Sequence, residues 1–210
     1  MDDLFDPPAD EPAPDTLDAL ARAEAACRRC PLHGPATQVV PGEGPADARV
    51  MLVGEQPGDQ EDRAGRPFVG PAGRVLDAAL ERVGMARDSL FVTNAVKHFK
   101  FARRGERRIH EKPDAGEVRH CRWWLEAERR IVGPKLIVAL GATAVLGVTG
   151  KAAPIGESRG VVRPLEDGAH ALITVHPSYL LRIREEERKR AEWRAFLEDL
   201  AVARDWAAAA

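Results

Sequence analysis

The sequence contains no run of about 18 apolar residues, which excludes a membrane-spanning helix of ordinary length. Its first fifteen residues carry six acids and no base, so the basic start of a signal peptide is missing and a cytoplasmic protein is expected. No charge of one sign dominates: 31 Lys and Arg face 33 Asp and Glu, a balance that by itself points to no polyanionic partner. Three cysteines are too few for a disulfide framework. Two of them stand as Cys27-Arg28-Arg29-Cys30, a spacing that fits either half of a metal site or a pair of partly buried free thiols.

What is present is enough apolar content, 44% of 210 residues, for one substantial core, so a single domain is expected over 17–206. Residues 1–16 are acidic and Pro-rich with little to bury, and they are expected to form a disordered tail. The chain is organised around Ala48 to Asp62. Arg49 to Val53 reads as a buried strand, stopped by the turn residues Gly54, Pro57 and Gly58, with Glu55 just past its carboxyl end. In an open α/β sheet that rim is where ligands bind, although a lone carboxylate there can equally cap a turn.

Further strands are expected at Leu90 to Val96, Lys135 to Leu140 and Ala171 to Val175, with Val161 to Arg163 as an edge strand candidate. Helical periodicity marks 17–26, 72–83, 114–132, 141–148 and 185–203. This alternation predicts an α/β fold, a three-layer α/β/α sandwich around a mainly parallel, four-stranded central sheet. Glu55, Asn94 and His176 each fall at or just after a strand end and should share one rim. Between the second strand and the 114–132 helix, Lys97 to Lys112 places seven Lys or Arg against two Glu, with Phe99, Phe101 and His110 interleaved. Such a basic loop suits a nucleic acid backbone, and Lys97, Lys100, Arg103, Arg104, Arg107 and Arg108 are the candidate phosphate contacts. The bland alternative is a solvated loop. For Cys121, on the apolar stripe of its helix, the residue pattern alone suggests a small core residue.

Four motifs in order carry a resemblance: G-E-Q-P-G at 54–58, P-F-V-G-P-A-G at 67–73, T-N-A-V-K at 93–97 and H-P-S-Y-L-L-R at 176–182. Together with the paired cysteines upstream they resemble the uracil-DNA glycosylase superfamily, in particular its iron–sulfur family 4, from about Cys27 to Arg204. Gln56, in place of a small residue, and the basic segment ending R-R-I-H at 107–110 resemble the UdgX branch, which excises uracil and stays covalently attached to the DNA. The resemblance implies that Phe68 stacks on uracil, Asn94 pairs with its polar edge, and His176 donates a hydrogen bond to a uracil oxygen. It further implies that Gly42 lets backbone amides approach the base and that Gln56 and Asp59 line the pocket. Glu55 would stabilise the cationic sugar or deprotonate the nucleophile, and His110 would attack C1′.

The same resemblance implies a [4Fe–4S] cluster held by Cys27, Cys30, His98 and Cys121, with zinc as the competing metal for such ligands. The expected partner is uracil-containing DNA, single-stranded above all, with the protein acting as a monomer away from membranes. Two rival readings stay open: a conventional, turning-over glycosylase, and a metal-stabilised DNA-binding module without catalysis.

Overall fold

The computed structural model describes residues 14–209. Most of the tail expected to be disordered thus lies outside the described residues. Thr16 is the N-cap of the first helix, α1 (Leu17–Ala25), where its hydroxyl accepts a hydrogen bond from the Ala19 amide.

The central strand, β1 (Val50–Gly54), is buried on both faces, and its side chains divide by parity. Val50 and Leu52 enter one core cluster while Met51 and Val53 enter another, as the period of two in a strand requires. Helix α2 (Asp59–Ala64) is a short turn that the sequence pattern did not disclose, and α3 (Pro71–Val83) follows on the expected amphipathic stretch. Strand β2 (Phe91–Asn94) pairs parallel to β1, with Gly54 opposite Asn94. The basic segment is not a loop: β3 (Phe101–Arg104) and β4 (Arg107–His110) form an antiparallel hairpin that turns at Gly105, where φ is 59°.

Helix α4 (Ala115–Val132) begins with the expected capping box, in which Asp114 accepts from the Glu117 amide and Glu117 accepts from the Asp114 amide. Then come β5 (Leu136–Leu140), α5 (Ala142–Thr149) and the brief α6 (Ile155–Ser158). The edge strand β6 (Val162–Pro164), β7 (His170–Thr174), α7 (Pro177–Arg182) and the long α8 (Glu186–Ala209) complete the chain.

The sheet runs β2-β1-β5-β7-β6. The four expected strands are parallel, and β6 adds an antiparallel fifth at the edge. One apolar cluster lies between the sheet and α3, α7 and α8; the other lies between the sheet and α4 and α5. The architecture is therefore the three-layer α/β/α sandwich. No helix among the described residues is long and apolar enough to cross a membrane. Since the chain leaves β1 first to one side, for β2, and later to the other, for β5, strand order reverses between β1 and β5. A crevice opens at the carboxyl ends of such strands.

Candidate active site

Glu55 follows β1 and Thr143 sits in the first turn of α5, after β5, so the two stand on opposite sides of that crevice. The Thr143 hydroxyl donates to Glu55 Oε2 at 2.5 Å and bridges it. Sequence reasoning missed Thr143; the signal was the Gly141 turn, which ends β5 at the same rim as the other candidates. Burial opposes ionisation of Glu55. Hydrogen bonds from His110 and Thr143, with the nearby His110 and His176 imidazoles, more than offset it and hold the carboxyl below its ordinary value.

Phe68 and Asn94 converge over Gly54, and His176 joins them by stacking on Phe68. A Cβ at Gly54 would lie 2.4 Å from Asn94 Oδ1 and 2.5 Å from the Phe68 ring, so the two side chains close over bare backbone. The Phe68 and His176 rings stack with centroids 5.9 Å apart. Phe68 has φ of 55°, a left-handed conformation costly for a bulky side chain, and its surroundings impose it. Gly73 presses on the Phe68 carbonyl, where a Cβ would come within 1.7 Å of the oxygen. Buried Glu61 accepts from the Gly58 amide at 3.1 Å and the Gly70 amide at 2.7 Å, tying the two ends of the turn together.

His176 Nδ1 accepts from the Ser178 amide at 3.2 Å, which leaves the proton of the neutral ring on Nε2 as a donor. Burial, with the Arg182 and His110 charges, outweighs the pull of Glu55 and lowers its pKa to about 4, so the ring is neutral at pH 7.

The hairpin delivers His110 to this place. Its Nε2 lies 3.2 Å from Glu55 Oε1, and the side chain is 49% exposed. Glu55 and His110, which the sequence separates by a whole strand–hairpin excursion, thus meet at one rim. Arg103, Arg104 and Arg107 point into solvent along the hairpin, while Lys100 is half-buried against Glu117 and Asp114.

Several expected contacts need correction. Lys97 is not at the surface. It is fully buried, with Nζ 2.7 Å from Glu128 Oε2 and bonded to the Thr93 hydroxyl and the Asn94 carbonyl, so no phosphate can reach it. Arg108, its side chain 8% exposed, is wedged between Asp59 and Asp62 and fastens the hairpin to α2. Asp59 is correspondingly committed to Arg63 and Arg108 instead of to a pocket. Gln56 faces the base of the hairpin, where its amide bonds to Lys100 and Glu111. The Gly42 amide is likewise taken, by Glu128 Oε1 at 2.9 Å; glycine is required there because a Cβ would meet the Phe91 ring at 2.5 Å and Glu128 at 2.7 Å.

Cys27, Cys30 and Cys121 share one buried cluster formed by α1, the turn that follows it, and α4. Two of the sulfurs accept N–H bonds at 3.1 Å, Cys27 from the Trp124 indole and Cys121 from the Lys97 amide. Buried His98 leaves Nδ1 without a hydrogen-bond partner, and burial with the charges of His33 and Arg28 outweighs Asp62 and lowers its pKa to about 4, so the ring is neutral at pH 7 and has a nitrogen lone pair to offer. Three sulfurs and an orphaned imidazole nitrogen are the donor chemistry a metal group would use, although no set of three or more His, Cys, Asp or Glu among the described residues is drawn together around an ion position.

The uracil DNA glycosylase superfamily profile matches residues 41–201. The chain is 41% identical over 181 residues to the type-4 uracil-DNA glycosylase of Thermotoga maritima, covering 86% of this chain and 88% of that protein. Identity is 40% over 163 residues with the type-4 enzyme of Pyrobaculum aerophilum, covering 74% and 80%. It is 32% over 160 residues with the type-5 uracil-DNA glycosylase of Thermus thermophilus, covering 66% and 68%. The matched span takes in every strand of the sheet and the whole rim from Gly42 to His176, and the chain therefore belongs to the uracil-DNA glycosylase superfamily.

Proposed function

We propose that this protein excises uracil from DNA and then remains attached to the strand through a bond between His110 and the sugar's C1′. The observation that carries the reading is the 3.2 Å approach of His110 Nε2 to Glu55 Oε1, beside the Phe68, Asn94 and His176 cluster. A base inside a duplex is out of reach, so the nucleotide enters flipped or from a single strand. Phe68 stacks on the ring and Asn94 reads its polar edge. As the C1′–N1 bond breaks, its electron pair leaves with uracil. The Nε2–H of neutral His176 donates to the oxygen on which that charge gathers, and the departing anion takes a proton from water. Glu55, kept ionised, stabilises the cationic sugar and accepts the His110 Nε2 proton while the freed nitrogen pair bonds to C1′. An alkylated imidazole is a poor leaving group, so each molecule acts once. Arg103, Arg104 and Arg107 supply phosphate contacts for the approaching strand.

Cys27, Cys30, Cys121 and His98 would hold a [4Fe–4S] cluster, which would tie α1 to α4 and to the root of the hairpin. Visible absorption of anaerobically purified protein tests this: a colourless, zinc-loaded sample defeats it.

The second reading is hydrolytic turnover, with Glu55 activating water, and it is favoured by the 41% identity to a type-4 uracil-DNA glycosylase. Incubation with uracil-containing single-stranded DNA, followed by denaturing electrophoresis, separates the two. A heat-stable, slower band that vanishes in His110→Ser, while some uracil release persists, is the expected result. Repeated turnover with a free abasic product and no such band refutes attachment.

A further inference from the structure

Gln56 follows Glu55 directly, yet the two side chains face opposite ways. Glu55 reaches across the crevice to Thr143, whereas Gln56, 7% exposed, turns to the hairpin. There its amide makes three hydrogen bonds: Nε2 donates to the carbonyls of Lys100 at 3.2 Å and Glu111 at 2.9 Å, and Oε1 accepts from the Lys100 amide at 3.0 Å. Lys100 immediately precedes β3 and Glu111 immediately follows β4; the Glu111 amide donates to the Lys100 carbonyl at 3.0 Å and pairs the two roots, and the single Gln56 side chain ties that pair to the end of β1. Glu111 is also the neighbour of His110. The segment that carries Gln56 is itself fixed, since the Ala95 and Val96 amides donate to the carbonyls of Gly54 and Glu55.

We propose that Gln56 is a positioning residue that sets His110 against Glu55 by clamping the base of the hairpin. The proposal rests on the reading of His110 as the attacking group. Only a primary amide meets the demand at this spot, since it must donate to two carbonyls and accept from one amide. A small residue would leave the Lys100 amide and the Glu111 carbonyl without these bonds. A glutamate would turn an acceptor oxygen towards two carbonyl oxygens. The Arg108 anchor on Asp59 and Asp62 sits further along β4, so it holds the hairpin against α2 without fixing its root.

The test compares wild type, Gln56→Ala and Gln56→Glu in two assays: the partition of released uracil between adduct and free abasic site, and hydrogen exchange over residues 100–111. A misplaced nucleophile costs rate steeply, so both variants should form adduct roughly tenfold more slowly or worse, with uracil release changed by less than about threefold. Exchange should quicken only in the hairpin. Retained uracil release also establishes that the variants fold. Adduct formation within about twofold of wild type in Gln56→Ala overturns the proposal, whatever the exchange. If the wild-type protein itself forms no adduct, the covalent reading fails separately, and the clamp is then judged by exchange alone: faster exchange confined to 100–111 supports it, and unchanged exchange overturns it.

Discussion

A lysine that touches phosphate and a lysine buried in an ion pair fail in opposite ways when replaced, and Lys97 offers a clean test of which it is. Lys97→Met removes the ammonium 2.7 Å from Glu128 Oε2, together with its bonds to the Thr93 hydroxyl and Asn94 carbonyl. Glu128 would be left as a buried carboxylate held only by the Thr93 hydroxyl and the Gly42 amide. Removing one partner of a buried pair costs about 3–5 kcal/mol. For a domain of this size that lowers the melting temperature by roughly 6–20 °C. Replacing both members, Lys97→Met with Glu128→Leu, should recover about 1–3 kcal/mol of coupling energy, because no lone charge then stays inside. Urea unfolding of the two single variants and the double variant measures these terms. The salt dependence of binding to single-stranded DNA supplies the contrast. A lost phosphate contact would flatten the slope of log K against log salt by about 0.7, whereas a buried lysine should leave it unchanged and the exposed Arg104→Ala should flatten it. A stable Lys97→Met with a flattened slope would refute the burial argument.

Two other outcomes follow from the geometry. Gly73→Ala would push a Cβ to within 1.7 Å of the Phe68 carbonyl, so the turn must move and carry the Phe68 ring with it. Single-turnover uracil release should fall roughly tenfold or more, and an unchanged rate would show that the turn does not set the stacking surface. Glu24 is buried with neither carboxylate oxygen hydrogen-bonded; burial, eased by Lys97 and reinforced by Glu128, raises its pKa from 4.5 to about 8. The folded chain thus holds a proton that the unfolded chain gives up, and the stability so gained is lost as pH rises from about 4.5 towards 8. Glu24→Gln should remove that loss and gain on the order of 3–4 kcal/mol between pH 5 and pH 8 relative to wild type in urea unfolding; identical pH profiles would contradict it.

The alternation of apolar runs and amphipathic stretches made the parallel strands and their flanking helices legible, and with them the rim that gathers Glu55, Asn94 and His176. The hairpin was not legible from apolar pattern, because its strands are only four residues each, largely exposed, and half arginine. The readable signal was R-R-G-E-R-R, a two-residue turn opening with glycine between matched pairs of arginines. Burial of Lys97 could not be read either, since its counter-charge Glu128 lies thirty-one positions away on a different element. The same holds for Arg108 and for Gln56, whose partners are fixed only when the hairpin folds back over α2. Charge in a sequence indicates what a residue can bind, and the fold decides whether that partner is a stranger or a neighbour.

The bond from Thr143 gives the two oxygens of Glu55 separate duties. One is moored to the scaffold, and the other is left to whatever the hairpin presents. On the proposed reading the outcome of the reaction would be set by an interchangeable arm: with an imidazole on it, the sugar would be captured by protein, and with that ring withdrawn the same oxygen would be left to water. A change of chemistry on this frame would then require edits to the arm and its root, while the sheet and the cluster of Phe68, Asn94 and His176 stay as they are.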